Sequence, residues 1–511
     1  MPGSDALDVV VVGSGPNGLA AAVIFAAAGL SVEVLESEPG PGGGCRTVEL
    51  DLADEARARR GSAGPRLRHD LCSAVHPMAA ASEFFDRFGL TDRGVELAQP
   101  AAAYAHPLDG GRAAVAYKSL DRTVDELGGA DGRLFRRVMA PLISDAIAVR
   151  DLGLSDMRSV PQAALKPRGV IAAAAMAGRA LQLGTPVGEK TTDAELCGAL
   201  ITGVGAHANT VIPSLAGGGT ALLLGVLAHS HNWPIPVGGS QSITDALTAD
   251  LSARGVKISC DSHIESAKQL PAARVYVFDT APWALDRIYG DRLAPRYRRA
   301  LARFRRGSGV AKVDFVVSEE VPWTDPRVGL AGTVHVGGDR AQMARAEKDA
   351  AAGRHNDAPM ILLSHPTVVD KTRLGPLGES PLWTYAHVPN GSTRDMTDTV
   401  TAQIERFAPG FRDTVVASRC IPAAELQAHN ANYVGGDIGA GQVSMYRMVA
   451  RPVPKWDPYR TSIDNVYLCS ASTPPGPGVH GMCGMHAARR VLKQHFGIRN
   501  LPDLRRNGGI Q

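Results

Sequence analysis

Three glycines and one glutamate near the amino terminus stand at a spacing that can support chemistry. Gly13, Gly15 and Gly18 follow a GxGxxG pattern, and Glu36 ends the next apolar run. Glycines at these positions let the backbone turn tightly and approach a diphosphate, while a carboxylate at that distance can accept hydrogen bonds from ribose hydroxyls. The first chemistry that the sequence predicts is therefore the binding of a dinucleotide.

The elements that must position these residues are visible in residues 8–37, which read as strand, tight turn, helix and strand. Residues 9–12 form a continuous apolar run, as expected for a buried parallel strand. Pro16 suits the first turn of the helix, and Gly29 suits its end. The unpaired N–H groups and the positive dipole end of this helix would then face the phosphates.

A second glycine-rich loop, GGGCRT at residues 42–47, follows soon after Glu36. Gly43 and Gly44 offer another exposed backbone beside the same diphosphate, and Arg46 is available for charge. A loop of this kind is expected for FAD and not for a simple nicotinamide dehydrogenase. An ordinary surface role for Arg46 stays open as the alternative.

The run GPGVHGMCGMHAARR at residues 476–490 also fits GxGxxG, between a strand-like and a helix-like stretch. A second dinucleotide unit would need a βαβ segment of about 30 residues and an acidic residue beyond it. One helix and a charged tail follow instead. We therefore interpret this run as the flavin-ring side of a single FAD site, with a structural glycine turn as the alternative. A serine, Ser470, follows the preceding strand where many flavoproteins place Gly-Asp.

These motifs carry a resemblance to a known family. VVGSGPNGLAAA with GGGCRT resembles the phytoene desaturase-related branch of the FAD-dependent oxidoreductases, and residues 459–489 resemble its closing flavin segment. Further stretches are similar to the subgroup described as pyridine nucleotide-disulfide oxidoreductase domain-containing protein 2: residues 72–85, 231–247, 331–338 and 382–391. The resemblance spans nearly the whole chain, although no cysteine pair suited to a redox disulfide is present.

The resemblance implies an α/β fold with FAD as cofactor. We expect a Rossmann-type FAD-binding domain, like that of glutathione reductase with a parallel central sheet, and a discontinuous α+β substrate or cap domain. The FAD-binding domain is assigned to residues 1–75, 230–290 and 430–511, and the substrate domain to residues 76–229 and 291–429. The predicted cofactor contacts are Gly13, Gly15, Pro16, Asn17, Gly18, Glu36, Gly43, Gly44, Arg46, Ser470, Ala471, Gly478, Val479, His480, Gly481 and Met482.

Two residues are candidates for catalysis beside the flavin. His480 lies within the flavin-facing glycine run, where it could stabilise reduced flavin or relay a proton near neutral pH; hydrogen bonding within the loop is the alternative. Lys312, in the strand-like VAKVDFVV, resembles the lysine that some related amine oxidases hold through water at flavin N5. His76, His335 and His387 gain no role from the sequence, and their spacing predicts no metal site.

Composition narrows the remaining classes. A net charge of +3 over 511 residues gives no sign of nucleic-acid binding. The seven cysteines are an odd number without a CxxC pair, which indicates reduced thiols and a cytoplasmic protein. A strand beginning near Asp8 leaves no room for a secretory signal before it. The sequence contains no GxSxG elbow and no Walker loop, so hydrolase and kinase functions are excluded.

Three segments suggest contact with an apolar molecule or a lipid surface. Residues 170–184 and 214–228 are apolar helices too short to span a bilayer, and they are either core or the wall of a substrate tunnel. Residues 291–306 predict a basic amphipathic helix, with an apolar stripe of Leu293, Tyr297, Leu301 and Phe304. Such a helix either lies on an anionic membrane or packs on the domain as a solvated helix.

Our leading hypothesis is a phytoene dehydrogenase-like, FAD-dependent oxidoreductase that transfers hydride between flavin N5 and a C–C bond of an apolar, isoprenoid or polyene substrate. The sequence does not identify the electron acceptor, which could be oxygen, a quinone or another protein. A flavin amine oxidase is the first alternative, with Trp383 and Tyr385 as its aromatic cage. An FAD-bound interaction protein with little turnover is the second.

Overall fold

The structure, a computed structural model, describes residues 6–52, 66–156, 165–186 and 194–505. Its strands are β1 Leu7–Val12, β2 Val32–Leu35, β3 Thr47–Leu50, β4 Leu67–Asp70, β5 Leu97–Ala98, β6 Ala102–Leu108, β7 Arg112–Ala116, β8 Ile235–Pro236, β9 Lys257–Ser259, β10 Ala273–Phe278, β11 Gly309–Val317, β12 Ala331–Val336, β13 Ile361–Ser364, β14 Ser380–Val388, β15 Val415–Ile421 and β16 Val466–Leu468.

The α-helices within the described residues are α1 Pro16–Ala27, α2 Pro77–Ala81, α3 Glu83–Phe88, α4 Leu120–Leu127, α5 Gly129–Ile143, α6 Ala146–Gly153, α7 Pro167–Leu183, α8 Glu195–Gly205, α9 Leu215–Ser230, α10 Gln241–Ala253, α11 Pro282–Tyr289, α12 Pro295–Ala302, α13 Arg340–Ala351, α14 Thr397–Glu405, α15 Phe411–Thr414, α16 Leu426–His429, α17 Met445–Val449 and α18 Met482–His495.

A five-stranded parallel sheet, in the order β16-β10-β1-β2-β9, forms the centre of the dinucleotide-type unit. Helices α1, α10 and α18 pack on one face, while α11 and α12 contribute to the apolar cluster on the other. Val9, Val10 and Val11 are fully buried because both faces are covered. The expected α/β class with a parallel central sheet is confirmed.

The first and last helices pack closely beside this sheet. A Cβ at Gly484 of α18 would lie 2.0 Å from the carbonyl oxygen of Asn17, so only glycine allows the two helices to approach. A Cβ at Gly18 would lie 2.2 Å from the Gly13 carbonyl oxygen. This packing brings the 476–481 loop, which precedes α18, next to the amino end of α1.

A seven-stranded mixed sheet, in the order β15-β11-β14-β13-β12-β6-β7, forms the second unit. One face is apolar and packs against α14, through residues such as Val313, Leu363 and Ala386. The strands of the five-stranded sheet come from residues 7–35, 257–278 and 466–468, and those of the seven-stranded sheet from residues 102–116 and 309–421. The domain boundaries assigned from the sequence stay a prediction.

The basic segment 291–306 differs from its predicted form. Helix α12 spans only Pro295–Ala302, and the apolar stripe is buried in the cluster beneath the five-stranded sheet: Leu293, Tyr297 and Leu301 are at most 8% exposed. The predicted sixteen-residue amphipathic helix is therefore wrong in length. Its stripe faces the protein core and not a lipid surface, a distinction that helical spacing alone cannot make.

The apolar helices near residues 170–184 and 214–228 form as predicted, as α7 and α9. Helix α9 is largely buried, whereas the outer side of α7 exposes Val170, Ile171 and Leu181, with Ile171 at 65%. Within the described ranges, no helix combines the length and the apolar character needed to cross a membrane.

Candidate functional site

A cavity of about 810 Å³ connects the carboxyl edge of the five-stranded sheet with the seven-stranded sheet. The cavity is divided here into two parts according to the segments that line it. The glycine half is lined from residues 12–44, 262–307 and 427–479, and the aromatic half from residues 72–78, 153–233 and 333–385. The volume lies within the range of cofactor and substrate sites.

The turn between β1 and α1 brings backbone to the wall of the glycine half. Gly13 has a φ of +97°, and its N–H donates to the Leu35 carbonyl oxygen at 2.7 Å. Gly15 is the N-cap of α1 and Pro16 its first residue, as predicted. A Cβ at Gly15 would lie 2.6 Å from Oδ2 of Asp279, so a side chain there would close the turn.

Asp279 lies directly after β10 and was missed by sequence reasoning. Its Oδ2 accepts a hydrogen bond from the Gly18 N–H at 2.8 Å, at the amino end of α1. Burial, with a smaller contribution from the nearby Glu36, raises the pKa of this carboxyl to about 7 against the opposing effect of the Gly18 N–H. An anion binds favourably at such a helix end. The signal was available, because a polar residue directly after a parallel strand lies at the ligand-binding edge of the sheet.

Glu36 lines the cavity at the end of β2, where a ribose-binding carboxylate was predicted. Its Oε2 accepts from the Ser14 N–H at 2.8 Å, and its Oε1 accepts from the Glu38 N–H at 2.9 Å. These backbone donors fix the carboxylate at the rim of the glycine half.

The GGGCRT loop lies on the first glycine turn. The Gly42 N–H donates to the Ser14 carbonyl oxygen at 3.0 Å, and a Cβ at Gly43 would lie 3.0 Å from Cα of Gly15. Gly43 and Gly44 therefore line the cavity beside the turn.

Arg46, predicted to be available for charge beside the diphosphate, does not line the cavity. Its Nη2 donates to the carbonyl oxygen of His429 at 2.5 Å, and its Nε donates to the Gly43 carbonyl oxygen at 3.1 Å. A Glu38 carboxylate oxygen lies 3.6 Å from Nη1. The guanidinium thus ties the loop to α16.

Three other arginines do line the glycine half, namely Arg287, Arg306 and Arg451. Arg451 is buried, and it donates to the carbonyl oxygens of Ala471 at 3.0 Å and of Gly439 at 2.7 Å. Burial lowers its pKa to about 10, which leaves it positively charged at neutral pH. These arginines come from separate segments of the chain, so no local motif predicted their meeting.

Two buried polar atoms of the glycine half have no hydrogen-bond partner within the described protein. They are Oδ1 of Asn17 and Oγ1 of Thr280, and both residues line the cavity. Buried polar groups are rarely left unpaired unless a ligand or water completes them. Together with the helix end and the arginines, these atoms fit a polar, anionic dinucleotide.

The carboxyl-terminal glycine run is divided between wall and support. Ser470, Ala471, Gly478 and Val479 line the cavity, and the Ser470 hydroxyl lies 2.6 Å from that of Ser472. His480, Gly481, Met482 and Gly18 do not line it.

His480 is buried behind this wall, and the structure gives no support to its predicted catalytic role. Its Nδ1 accepts from the Met482 N–H at 3.0 Å, so its Nε2 donates to the Gly476 carbonyl oxygen at 3.1 Å. Burial lowers the pKa of His480 to about 4. The neutral ring therefore holds the loop and satisfies the first N–H of α18, which is the alternative that the sequence left open.

Strand register brings the scattered polar and aromatic residues together on one face of the seven-stranded sheet. Residues opposite each other on neighbouring strands share a face. The first row across the strands contains Tyr104, Thr333, Ser364, Trp383 and Asp314, and the second contains His335, Leu362, Tyr385 and Lys312. This face is the floor of the cavity. The floor residues that line the cavity are Thr333, Leu362, Trp383 and Tyr385.

Lys312 lies at one end of the floor but does not line the cavity. It is buried and donates to the carboxylate of Asp314, which also lies 3.7 Å from Nδ1 of His69. Burial opposes the ionisation of Asp314, yet Lys312 and His69 hold the pKa of the carboxyl below its ordinary value. The predicted catalytic lysine is thus part of a buried ion pair beneath the cavity wall.

The aromatic half carries no ionic side chain: no Asp, Glu, Lys or Arg from the described ranges lines it. Its histidines are held by neighbours. Nε2 of His76 lies 2.7 Å from the Ser240 hydroxyl, and Nε2 of His207 lies 2.8 Å from Nε2 of His335. His387 lies behind the wall, with Nδ1 at 2.5 Å from Glu347. No cluster among the described residues could hold a metal ion.

Comparison with known proteins agrees with this architecture. Residues 11–88 match the family model of the NAD(P)-binding Rossmann-like domain. The chain is 24% identical over 323 residues to pyridine nucleotide-disulfide oxidoreductase domain-containing protein 2 of Rattus norvegicus, and the match covers 55% of each chain. The chain thus spans about half the length of this relative. An uncharacterized Mycobacterium bovis protein is 26% identical, with 95% of this chain and 97% of that one covered.

Solved structures show the same fold across nearly the whole chain. An engineered triple mutant of putrescine oxidase has a TM-score of 0.58 at 15% identity, covering 96% of this chain and 99% of that one. Cyclohexylamine oxidase of Brevibacterium oxydans has a TM-score of 0.55 at 13% identity, covering 95% and 97%. The fold is therefore that of these oxidoreductases, while the resemblance to phytoene desaturases stays a prediction.

Proposed function

We propose that the protein is a flavin-dependent oxidoreductase that binds FAD in the glycine half and transfers hydride to or from a C–C bond of an apolar substrate in the aromatic half. The observation that carries this proposal is the absence of Asp, Glu, Lys and Arg from the described lining of the aromatic half. A charged substrate would lose its hydration there without a counter-ion. An apolar substrate gains free energy from the same burial.

When bound, FAD supplies the hydride donor or acceptor, and the protein supplies binding, orientation and electrostatics. In this proposal the amino end of α1 and the guanidinium of Arg451 bind the diphosphate. Glu36, at the end of β2, binds a ribose of the cofactor. Asn17 and Thr280, whose polar atoms are unpaired, complete the hydrogen bonds to the cofactor.

The walls of the aromatic half would hold an apolar molecule and exclude water. Leu223, Leu224 and Trp233 line it from the α9 side, and Tyr385 lines it from the floor. Helix α7 gives Met176 to the cavity wall and exposes Val170 and other apolar side chains on its outer side. This arrangement supports the predicted tunnel wall and suggests that an apolar substrate arrives beside α7.

Amine oxidation is a second candidate, favoured by the fold shared with putrescine oxidase and cyclohexylamine oxidase. Trp383 and Tyr385, the predicted aromatic cage, both line the cavity, with ring centroids 5.0 Å apart at an interplanar angle of 82°. A neutral monoamine could lie against these rings. A diamine such as putrescine would lack a carboxylate for its second, charged nitrogen.

An anaerobic titration of the FAD-loaded protein separates the candidates. The visible flavin absorbance is followed while an apolar extract, cyclohexylamine or putrescine is added. Bleaching by a component of the apolar extract supports the leading proposal, whereas bleaching by an amine alone supports the second. If dithionite bleaches the flavin but none of these donors does, FAD does not accept hydride from an apolar molecule or from an amine. Both proposals then fail for the direction in which the substrate is oxidised.

A charge introduced into the cavity gives a sharper test. Leu224→Asp places a carboxylate in the aromatic half and should abolish reduction by the apolar donor while FAD remains bound. Leu377→Asp is the matched control, because Leu377 is 88% exposed and lies outside the cavity lining. Equal donor activity in both variants would contradict an apolar substrate in the aromatic half.

A further inference from the structure

Among the floor residues that line the cavity, two carry a buried polar atom without a hydrogen-bond partner in the described protein. The atoms are Oγ1 of Thr333 and Nε1 of Trp383. Both residues line the cavity, at 3% and 7% exposure. Folding leaves such atoms unpaired at a cost in free energy, so each one calls for an explanation such as a ligand that completes it.

The two atoms belong to one row of the floor. Thr333 on β12 and Trp383 on β14 stand on either side of Ser364 on β13. The Ser364 hydroxyl already donates to the Gly332 carbonyl oxygen at 2.8 Å, and its side chain is small. Ser364 itself does not line the cavity, so a ligand atom would meet this row through the threonine and the indole on the two flanking strands.

The chemistry of the donors narrows the ligand. The indole N–H of Trp383 can only donate, whereas the Thr333 hydroxyl donates or accepts. His207, which lines the same half, is in contact with His335 and neutral, since burial lowers its pKa to about 3. An ammonium could not accept from the indole, and a carboxylate would find no cation. A neutral oxygen can accept from the indole N–H and can exchange a hydrogen bond with the threonine hydroxyl.

We infer that the aromatic half binds the oxygenated end of an elongated apolar molecule, an alcohol or a carbonyl compound, through Trp383 and Thr333. This inference rests on the proposed function, which assigns the aromatic half to the substrate. The part of the floor that lines the cavity runs from Thr333 on β12 to Trp383 and Tyr385 on β14, over two inter-strand steps or about 10 Å. An elongated molecule would lie with its oxygen near Thr333 and Trp383 and its apolar chain along the rest of the aromatic half.

The test compares two probes that differ by one hydroxyl. All-trans-geranylgeraniol and the hydrocarbon of the same skeleton are titrated into the FAD-loaded protein, and Kd is read from the change in flavin absorbance or tryptophan fluorescence. We expect the alcohol to bind about tenfold more tightly. Thr333→Val and Trp383→Phe, which remove one polar atom each, should bring the two Kd values together.

Thermal unfolding of the ligand-free protein supplies an independent readout. Thr333→Val removes an unpaired buried hydroxyl and keeps the side-chain shape, so its Tm should rise. Thr384→Val is the matched control, because the Thr384 hydroxyl donates to the Val313 carbonyl oxygen at 2.6 Å on the other face of the sheet. This control should lower Tm and leave the ratio of the two Kd values unchanged.

The outcomes separate this inference from the proposed function. Equal affinity for the two probes, or a ratio unchanged in both floor variants, overturns the inference alone. If neither probe binds, the inference and the apolar substrate fail together. Tight, floor-dependent binding of the alcohol without flavin reduction by any apolar donor supports the inference and overturns the proposed reaction.

Discussion

The Nε2 atoms of His207 and His335 lie 2.8 Å apart beside the cavity. This contact requires one imidazole to donate and the other to accept, so protonation of the accepting ring would remove the hydrogen bond. Burial lowers the pKa of His207 to about 3 and holds the pKa of His335 well below its ordinary value. The pair therefore stays neutral at physiological pH and keeps this wall free of charge.

The pair makes stability depend on pH. A histidine in the unfolded chain has a pKa of about 6.5. Below that pH the unfolded state therefore binds a proton that the folded state does not bind. The contribution to stability is fully present above pH 6.5 and is lost as pH falls toward 3. The free energy of unfolding should decrease by about 1.4 kcal/mol per pH unit for each such histidine.

Urea denaturation at several pH values between 7.5 and 5 measures this slope. His207→Gln should make it shallower, since one titrating group is removed. His263→Gln is the control, because the His263 side chain is 46% exposed. Identical slopes for the two variants would show that the pair contributes nothing to the pH dependence.

The buried arginine Arg373 leads to a second prediction about the free energy of unfolding. Its side chain is 0% exposed and pairs with Asp70 at 2.6 Å and with Asp370 at 3.0 Å. Arg373→Met leaves two buried carboxylates without their cation, so the free energy of unfolding should fall by about 3–5 kcal/mol. Chemical denaturation checks this value. The exposed Arg112, paired with Glu195, is the control, and Arg112→Met should leave the denaturation curve unchanged.

Local sequence patterns predicted the backbone geometry of the glycine half well. Gly15, Pro16 and Glu36 occupy the expected cap, first helical turn and strand end. Each depends on neighbours within one βαβ unit, whose geometry is fixed by short-range rules. His480 shows the limit of this reasoning, because proximity to a glycine run does not determine which side of the loop the ring faces.

The floor could not be predicted from the sequence. Thr333, Trp383 and Lys312 alternate with apolar residues, which indicates strands with one distinct face. Their meeting, however, depends on the order β11-β14-β13-β12, and neither spacing nor composition determines that order. Asp279 differs from these residues, because its position directly after a strand was a usable signal and only its pairing with Gly18, 261 residues away, was not.

Gly484 offers a test of the packing between α1 and α18. A Cβ at Gly484 would lie 2.0 Å from the Asn17 carbonyl oxygen, so Gly484→Ala must separate the helices or shift α1. We expect a loss of about 1–3 kcal/mol in the free energy of unfolding and weaker FAD binding. Gly178→Ala in α7 has no atom within 4 Å of its Cβ and should be neutral or stabilising. Equal stability of the two variants, measured by thermal unfolding, would contradict the close helix contact.

The raised pKa of Asp279 leads us to expect that the affinity for FAD depends on pH. Burial raises the pKa of its carboxyl to about 7, so the group is mostly neutral at pH 6 and ionised at pH 8. Because the folded pKa exceeds the ordinary value of 3.8, its contribution to the stability of the cofactor-free protein is complete below pH 3.8 and is lost as pH rises through about 7. The ionised carboxylate also occupies the amino end of α1, where the diphosphate is proposed to bind. FAD affinity should therefore fall between pH 6 and pH 8.

Asp279→Asn tests this competition, because the amide still accepts from the Gly18 N–H but carries no charge. The variant should bind FAD about tenfold more tightly than the native protein at pH 8, which corresponds to one pKa unit, and nearly equally at pH 6. Isothermal titration calorimetry at both pH values measures the difference. Glu38→Gln removes another carboxylate from the cavity lining and should retain the native pH dependence. If Asp279→Asn keeps that dependence as well, the carboxyl does not compete with the cofactor.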